Sequence, residues 1–205
     1  MTELLEMLIS FFGLSLVAVG AQNAIFTRGL GLSSGLRMLS DSRKSTGWFC
    51  VSLTVFQLMT SIIVYFAMPL VTLAGFGSYR RFVLPTVIVV ACTISYVIVI
   101  LALSAIMKER FGEIVQSVTS ASINSGSVGT VIITVYRGMN LWQSIAFGLG
   151  SSLGYFIALV LISEGERKIR HDRVPEVFRG LPITLIYISV LALSVYGLTG
   201  HGLAL

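Results

Sequence analysis

Two polar interruptions in an otherwise hydrophobic sequence constrain the fold of this chain more than any other feature. The first covers residues 22–35 (QNAIFTRGLGLSSG) and the second covers residues 120–129 (SASINSGSVG). Each follows a stretch apolar enough to enter a bilayer, and each contains an asparagine, Asn23 or Asn124. Irregular backbone at membrane depth is tolerated only where protein or a cavity covers it. Paired interruptions at matching positions of two halves therefore point to a site at the midplane of an inverted-repeat membrane protein.

The composition is that of an integral membrane protein. Of the 205 residues, 55% are hydrophobic and 11% are charged, whereas soluble domains carry about 25% charged residues. Mean hydropathy is +0.92. The net charge of +5 comes from basic residues in short loops between apolar runs, a pattern that fits membrane orientation better than nucleic-acid binding. We therefore expect contact with the lipid bilayer and none with nucleic acid.

The sequence offers no catalytic or metal-binding constellation. Cys50 and Cys92 both fall within apolar runs, and two thiols without nearby His or acidic ligands predict neither a disulfide framework nor a metal site. His171 and His201 lie in loops without neighbouring ligands. The sequence also lacks a nucleotide-binding loop and a nucleophile–base motif. We therefore expect a chain that is not itself catalytic.

Six segments are long and apolar enough to cross the membrane, at about 20 residues per span. They cover residues 4–22, 48–73, 82–107, 118–136, 141–163 and 181–200. The first and fourth are the weakest, because each runs into a polar break. Each half contains three spans. Because this number is odd, the second half crosses the membrane in the opposite orientation to the first. The pattern therefore predicts one all-α membrane domain, residues 1–205, built as a 3+3 inverted repeat of about 1–110 and 111–205, with helices 1 and 4 broken near the midplane.

Basic residues are distributed unequally between the two ends of the predicted spans. Eleven Lys and Arg follow segments one, three and five, at positions 28, 37, 43, 44, 108, 110, 167, 168, 170, 173 and 179. The opposite side carries three, Arg80, Arg81 and Arg137. By the positive-inside rule this places both termini on the non-cytoplasmic side, with or without Arg28 in the count. The membrane is expected to be the cell (inner or plasma) membrane.

Three stretches carry a family resemblance. Residues 148–200 contain Glu166-Arg167, Val174-Pro175 and Phe178-Arg179-Gly180, followed by an apolar helix that ends in a Gly-rich turn. This region resembles the last two helices of the RnfA/NqrE family, the membrane subunits of Rnf complexes and of sodium-pumping NADH:quinone reductases. QNAIFTRGLGLSS in the first break is similar to the family's Asn-Asn, basic residue, Leu-Gly-Leu-Cys-Pro stretch. INSGSVG in the second break is similar to its Thr-Asn-Cys-Ala-Val-Leu-Gly stretch.

The resemblance implies a cluster site that this chain has changed. In the family, one Cys in each break contributes to an iron–sulfur cluster held at the midplane between two paralogous subunits. Both positions are serine here, Ser33 and Ser125. Iron–sulfur clusters need soft, deprotonated sulfur ligands, so we expect no cofactor in this chain and a [2Fe–2S] cluster only in cysteine-bearing relatives. Ser34 in place of Pro and Gly126-Ser127 in place of Ala-Val indicate a divergent paralog.

The breaks supply the candidates for an ion path or a subunit interface, which are Asn23, Arg28, Gly31, Ser33, Asn124, Ser125 and Gly129. The two asparagines either bond exposed carbonyls of the opposite repeat or cap their own broken helices. The two serines either coordinate a small cation with freed backbone carbonyls or allow close helix packing. Arg28 is either a functional charge inside the break or reaches the cytoplasmic interface. The conformations of the breaks are expected to depend on Gly29, Gly31, Gly35, Gly126 and Gly129.

The resemblance implies a membrane subunit of an Rnf/Nqr-type electron-transport complex that forms the membrane core and part of an ion path. It would pair along its broken helices with a paralogous membrane subunit or with a second copy of itself, and it would contact other subunits of the complex. Two other functions stay open at this point. One is a stand-alone secondary transporter of a small ion or solute, and the other is an assembly scaffold without a site.

Overall fold

The structure, a computed structural model, describes residues 2–41, 43–108, 111–122, 124–169 and 174–199. These residues form helices and the turns that join them, so the predicted all-α class is confirmed for these ranges. The α-helices are α1 (Thr2–Val19), α2 (Leu32–Asp41), α3 (Arg43–Val71), α4 (Arg80–Ile106), α5 (Phe111–Ser122), α6 (Ser125–Tyr136), α7 (Leu141–Lys168) and α8 (Leu181–Thr199). A π-helical turn (Thr72–Phe76) and a 3-10 turn (Gly77–Tyr79) connect α3 to α4, and a 3-10 turn (Glu176–Phe178) precedes α8.

Several of these helices are suited to a bilayer. Four stretches are long and apolar enough to cross a membrane, namely Thr46–Ile106, Ile114–Tyr136, Leu141–Lys168 and Leu181–Thr199. The first stretch contains both α3 and α4, which fold back on each other. The hydroxyl oxygens of Thr60 and Ser95 share a hydrogen bond of 3.3 Å. The rings of Phe56 and Tyr96 stack with their centroids 6.4 Å apart. A further apolar helix, Leu5–Val19, is shorter.

Helix α1 runs parallel to the first half of α7. The Ser15 hydroxyl donates to the carbonyl of Ala146 at 2.9 Å, and further along both elements the Asn23 amide donates to the carbonyl of Gly154 at 2.9 Å. Gly150 and Gly154 make this approach possible. A Cβ at Gly150 would overlap the Ser15 backbone, and one at Gly154 would lie 2.8 Å from a carbonyl oxygen of α1. Small residues of this kind allow close helix packing in membranes.

Helix α3 lies at the centre of the bundle, in contact with α4, α5, α6 and α7. Its buried side chains contribute to two hydrophobic clusters. Phe49 and Leu53 belong to a cluster that includes residues of α5 and α7. Val64 and Met68 belong to a second cluster, with α4 and Val131 of α6. The first cluster therefore packs against the first half of α3, and the second cluster packs against its second half.

The breaks are shorter than the sequence predicted. The first covers residues 20–31, so Ser33 and Gly35 lie in α2 and not in the break. The second lies between the end of α5 at Ser122 and the start of α6 at Ser125. The fourth predicted segment also begins earlier, at Phe111. The reason is that tertiary packing overrides helix propensity, whose cost is at most about 1 kcal/mol for a Ser or Gly. These residues therefore extended the predicted breaks too far.

The two ends of the bundle differ in charge. Residues of α1, of the α3–α4 turn and of the α6–α7 turn meet around cavities at one end, which we call the basic-poor end because it carries Arg80, Arg81 and Arg137 alone among the described basic residues. At the basic-rich end, Leu36 of α2 shares a cavity with Glu166 and Thr184. Among the residues discussed above, Arg110, Arg170, His171, Arg173 and His201 lie outside the described ranges.

Candidate functional site

The two breaks meet at Gly31. Its N–H donates to the Oγ of Ser125 at 2.8 Å, and its carbonyl accepts from the Tyr155 hydroxyl at 2.5 Å. Gly31 has a φ of 75°, in the left-handed region that favours glycine. A Cβ at this position would lie 2.5 Å from Oδ1 of Asn124 and 2.6 Å from the Tyr155 ring. Both the backbone conformation and the available space therefore require glycine at this junction.

Asn23 holds the first break through four hydrogen bonds. Its Oδ1 accepts from the N–H groups of Ile25 at 3.0 Å and Phe26 at 3.1 Å. Its Nδ2 donates to the carbonyls of Val19 and Gly154, both at 2.9 Å. The side chain is buried. Asn23 thus combines the two arrangements that the sequence left open, because it caps its own break and also bonds a carbonyl of α7.

Asn124 caps the start of α6. Its Oδ1 accepts from the N–H of Gly126 at 2.7 Å, and its side chain is 1% exposed. Its Nδ2 is buried and has no hydrogen-bond partner among the described residues. Buried polar groups are normally satisfied by protein or water. Asn124 therefore places a buried amide donor at the point where the two breaks meet.

Ser33 and Ser125 flank the junction, and both are exposed on the surface of the chain. The Ser125 hydroxyl is engaged as the acceptor of the Gly31 N–H. Cys50 on α3 and Cys92 on α4 are buried in the two separate hydrophobic clusters. The described side chains at the breaks thus offer hydroxyls and amides, and this donor set does not fit an iron–sulfur cluster, which needs thiolate ligands.

Arg28 is exposed on the first break, next to Thr27 and Gly29. Its guanidinium lies within range of electrostatic repulsion from Arg137, which follows α6. The sequence left open whether Arg28 reaches the cytoplasmic interface, on the side of the basic-rich end. Its electrostatic neighbour Arg137 follows α6, so these two positive charges repel each other.

The glycines near the breaks have two different roles. Gly29, with a φ of 64°, shapes the first break as expected. Gly35, Gly126 and Gly129 lie inside helices instead, which corrects the expectation that all five glycines shape the breaks. Their role is to leave space, since a Cβ at Gly129 would overlap the end of the Leu30 side chain.

Tyr155 of α7 is the central residue that the sequence analysis did not single out. The side chain is 1% exposed, its hydroxyl bonds Gly31, and its ring lies against Phe49 with centroids 6.0 Å apart. A tyrosine in the middle of a long apolar helix needs a partner for its hydroxyl when it is buried. That requirement was the available signal, although the sequence alone does not identify the partner.

A row of buried hydroxyls leads from the junction toward the basic-poor end. Thr130 of α6 and Ser151 of α7 share a hydrogen bond of 2.9 Å. Beyond them, Ser61, Thr134 and Ser144 line a cavity of about 260 Å³. All five side chains are buried, and the Oγ of Ser61 has no hydrogen-bond partner in the described part of the chain. We refer to these five residues as the hydroxyl row.

Comparison with known proteins identifies related membrane proteins. A family model described as Rnf-Nqr subunit, membrane protein, matches residues 11–201. An ion-translocating oxidoreductase complex subunit of Buchnera aphidicola subsp. Baizongia pistaciae is 27% identical over 208 residues, which cover 95% of this chain and 98% of the relative. A Na(+)-translocating NADH-quinone reductase subunit of Shewanella denitrificans is 35% identical over 82 residues, which cover 40% of this chain and 41% of the relative. A second ion-translocating oxidoreductase complex subunit, from Syntrophotalea carbinolica, is 31% identical over 97 residues, 47% of this chain and 49% of the relative.

Proposed function

Because this chain belongs to the Rnf-Nqr family of membrane subunits, we propose that it acts as an integral membrane subunit of an ion-translocating electron-transport complex. The family match over residues 11–201 carries this proposal. Relatives that are named as subunits of such complexes support it. The match also confirms the resemblance found in the sequence. A stand-alone transporter is not favoured, because the relatives are named as subunits of oxidoreductase complexes.

Six spans in a 3+3 inverted repeat are the arrangement that we propose for this subunit. Helices α5 and α6 have 12 residues each, or about 18 Å at 1.5 Å per residue, and neither alone crosses a hydrocarbon core of about 30 Å. We assign α5 with α6 to one broken span and α1 with α2 to its equivalent. The hairpins α3–α4 and α7–α8 complete the two halves. The bond between Gly31 and Ser125 supports this pairing, since it joins equivalent points of the two broken spans.

In our proposal both termini face away from the cytoplasm, across the inner membrane. The start of α1 shares a cavity with Asn140 and Gln143 of the α6–α7 region, at the basic-poor end. The positive-inside rule assigns the end with more Lys and Arg to the cytoplasm. The basic-rich end keeps a large excess of Lys and Arg even when Arg28 is left out of the count.

A second membrane protein of the same complex is proposed to cover the breaks. The exposed residues around the junction are Thr27, Arg28, Gly29, Ser33 and Ser125. Polar groups at membrane depth cannot face lipid without a cost of several kcal/mol each. Beside them, α1 presents an exposed apolar stripe made of Leu5, Ile9, Phe12 and Leu16. A paralog or a second copy of this chain would bury both surfaces together.

The hydroxyl row and Asn124 supply our candidate for part of the ion path. Their hydroxyl and amide groups are neutral, and freed polar groups at broken helices bind ions in membrane transporters. The unpartnered atoms Ser61 Oγ and Asn124 Nδ2 are buried near the two ends of this row, where water would satisfy them. From the junction, the path would continue toward the basic-rich end along the partner interface near Ser33.

The test is to isolate the tagged full-length chain from native membranes in mild detergent. We expect redox subunits of the complex to copurify with it. In the membrane, cysteines introduced by Ser33→Cys and Ser125→Cys should form cross-links between chains. Leu198→Cys on the exposed face of α8 is the control and should not cross-link. A monomer that copurifies with no other subunit and forms no cross-links would contradict the proposal.

A further inference from the structure

Arg80 and Arg81 begin α4 and line a cavity of about 610 Å³ at the basic-poor end. The cavity lies between the α3–α4 turn and the last turn of α6. Gly77, Ser78 and the two arginines form its polar side, and Leu84 and Val135 form its apolar side. A cavity that is basic on one side and apolar on the other suits an amphipathic ligand that carries negative charge at one end.

The two arginines have no acidic partner in the described structure. Arg80 donates to the carbonyl of Val135 at 3.5 Å, and among the described residues neither Arg80 nor Arg81 forms a salt bridge. Glu6, the described acidic residue at this end, lines a different cavity with Asn140 and Gln143. Two adjacent guanidinium groups therefore line the cavity, and no described acidic residue compensates their charge.

The surroundings of the cavity place it at the level of lipid headgroups. Tyr79, Phe82 and Tyr136 border it or lie beside it, and all three are exposed. Exposed tyrosines such as Tyr79 and Tyr136 concentrate where the bilayer meets water. Arginine binds phosphate oxygens through two parallel hydrogen bonds. At the level of lipid headgroups, a phospholipid is the molecule that supplies a phosphate ester of this kind.

From this geometry, we propose that the cavity at Arg80 and Arg81 binds the headgroup of an anionic phospholipid. The phosphate lies between the two guanidinium groups, and the start of the acyl chains lies over Leu84 and Val135. Arg80 also lines the neighbouring cavity that contains Ser61 and Thr134. Through the bond from Arg80 to Val135, the bound lipid holds the last turn of α6 against the α3–α4 hairpin.

Lipid binding is tested on the full-length chain, isolated with its membrane partners and depleted of lipid. Phosphatidylglycerol and cardiolipin are added at increasing concentration, with phosphatidylethanolamine and inorganic phosphate as separate arms. Native mass spectrometry counts the bound lipid, and the thermal midpoint reports stabilisation. We expect the anionic lipids to bind and raise the midpoint. Equal effects of phosphatidylethanolamine, or full reproduction by inorganic phosphate, would overturn the proposal.

Variants separate this site from general charge effects. Arg80→Gln with Arg81→Gln should weaken binding of the anionic lipids by about tenfold or more, since it removes charge-assisted hydrogen bonds. Arg137→Gln removes a charge from the same end without touching the cavity and should leave binding unchanged. Arg81→Gln alone, on an exposed side chain, provides a variant that folds without loss of a contact. If Arg81→Gln and Arg137→Gln bind anionic lipid equally, the proposal is wrong.

Discussion

The backbone N–H of Gly31 donates to the hydroxyl of Ser125 at 2.8 Å, across 94 residues of sequence. This bond joins the end of the first break to the first residue of α6. It makes the geometry of each break dependent on the other, so a change at either residue is expected to affect both halves of the chain.

Ser125→Ala removes the acceptor of the buried Gly31 N–H. We expect a loss of stability of about 1–3 kcal/mol, because an unsatisfied buried donor carries that penalty. Thermal unfolding in mild detergent measures it. Ser33→Ala is the matched control, since Ser33 is also exposed beside the junction, and it should change stability by less than about 0.5 kcal/mol. Equal losses for both variants would show that the bond does not stabilise the junction.

Tyr155→Phe deletes the hydroxyl that donates to the Gly31 carbonyl and keeps the ring in place. The expected loss is again about 1–3 kcal/mol, since a buried carbonyl loses its partner. Tyr79→Phe, on an exposed side chain, serves as the comparison and should be close to neutral. If the two variants unfold at the same temperature, the hydroxyl of Tyr155 does not stabilise the junction.

Gly150→Ala should separate α1 from α7. The added Cβ overlaps the Ser15 backbone, which cannot rotate away as a side chain can, and overpacking of this kind costs about 1–3 kcal/mol. Gly13→Ala is the control, because no atom lies within 4 Å of its added Cβ and alanine favours helix. The thermal midpoints should move in opposite directions. A neutral Gly150→Ala would mean that the two helices are farther apart than the Ser15–Ala146 bond indicates.

The purified chain should lack bound iron and the visible absorption of a [2Fe–2S] centre. Serine hydroxyls at Ser33 and Ser125 are poor ligands for iron, because they stay protonated near neutral pH. Metal analysis and absorption spectroscopy of the isolated protein measure this. Stoichiometric iron that disappears on Ser33→Ala would refute the ligand argument.

The membrane orientation can be measured with reporter fusions. A fusion after Leu205 should report a non-cytoplasmic position, and one inserted at His171 should report a cytoplasmic position. The expectation follows from the unequal distribution of Lys and Arg between the two ends. A cytoplasmic signal from Leu205 would reverse the orientation.

The sequence predicted the existence of the breaks better than their shape. Asn23 and Asn124 identified them because asparagine is favoured where helices are capped. Ser33, Ser125 and Gly129 were assigned to irregular backbone, yet they are helical, since small residues in a helix look the same in sequence as residues in a loop. The start of α5 was also missed, because Glu113 and Gln116 make its first two turns too polar for a membrane segment.

The third partner at the junction could not be predicted. Tyr155 comes from α7, which has no break, and nothing in its local sequence indicates that it reaches Gly31. The same is true of Ser61 and Thr134, which share a cavity although they belong to helices distant in sequence. Contacts of this type depend on how helices are arranged in three dimensions, and local patterns do not contain that arrangement.

The bond from Asn23 to the carbonyl of Gly154, 131 residues later, affects how the chain is made. At about 5–20 residues per second, the ribosome needs on the order of ten seconds to reach that acceptor after Asn23 has emerged. Until then, the bonds of Asn23 to Val19, Ile25 and Phe26 can form within the first segment, but its bond to α7 cannot. The Asn23 amide therefore contacts water or the insertion machinery until α7 has been synthesised. The first break can reach its final packing against α7 only during the last third of translation.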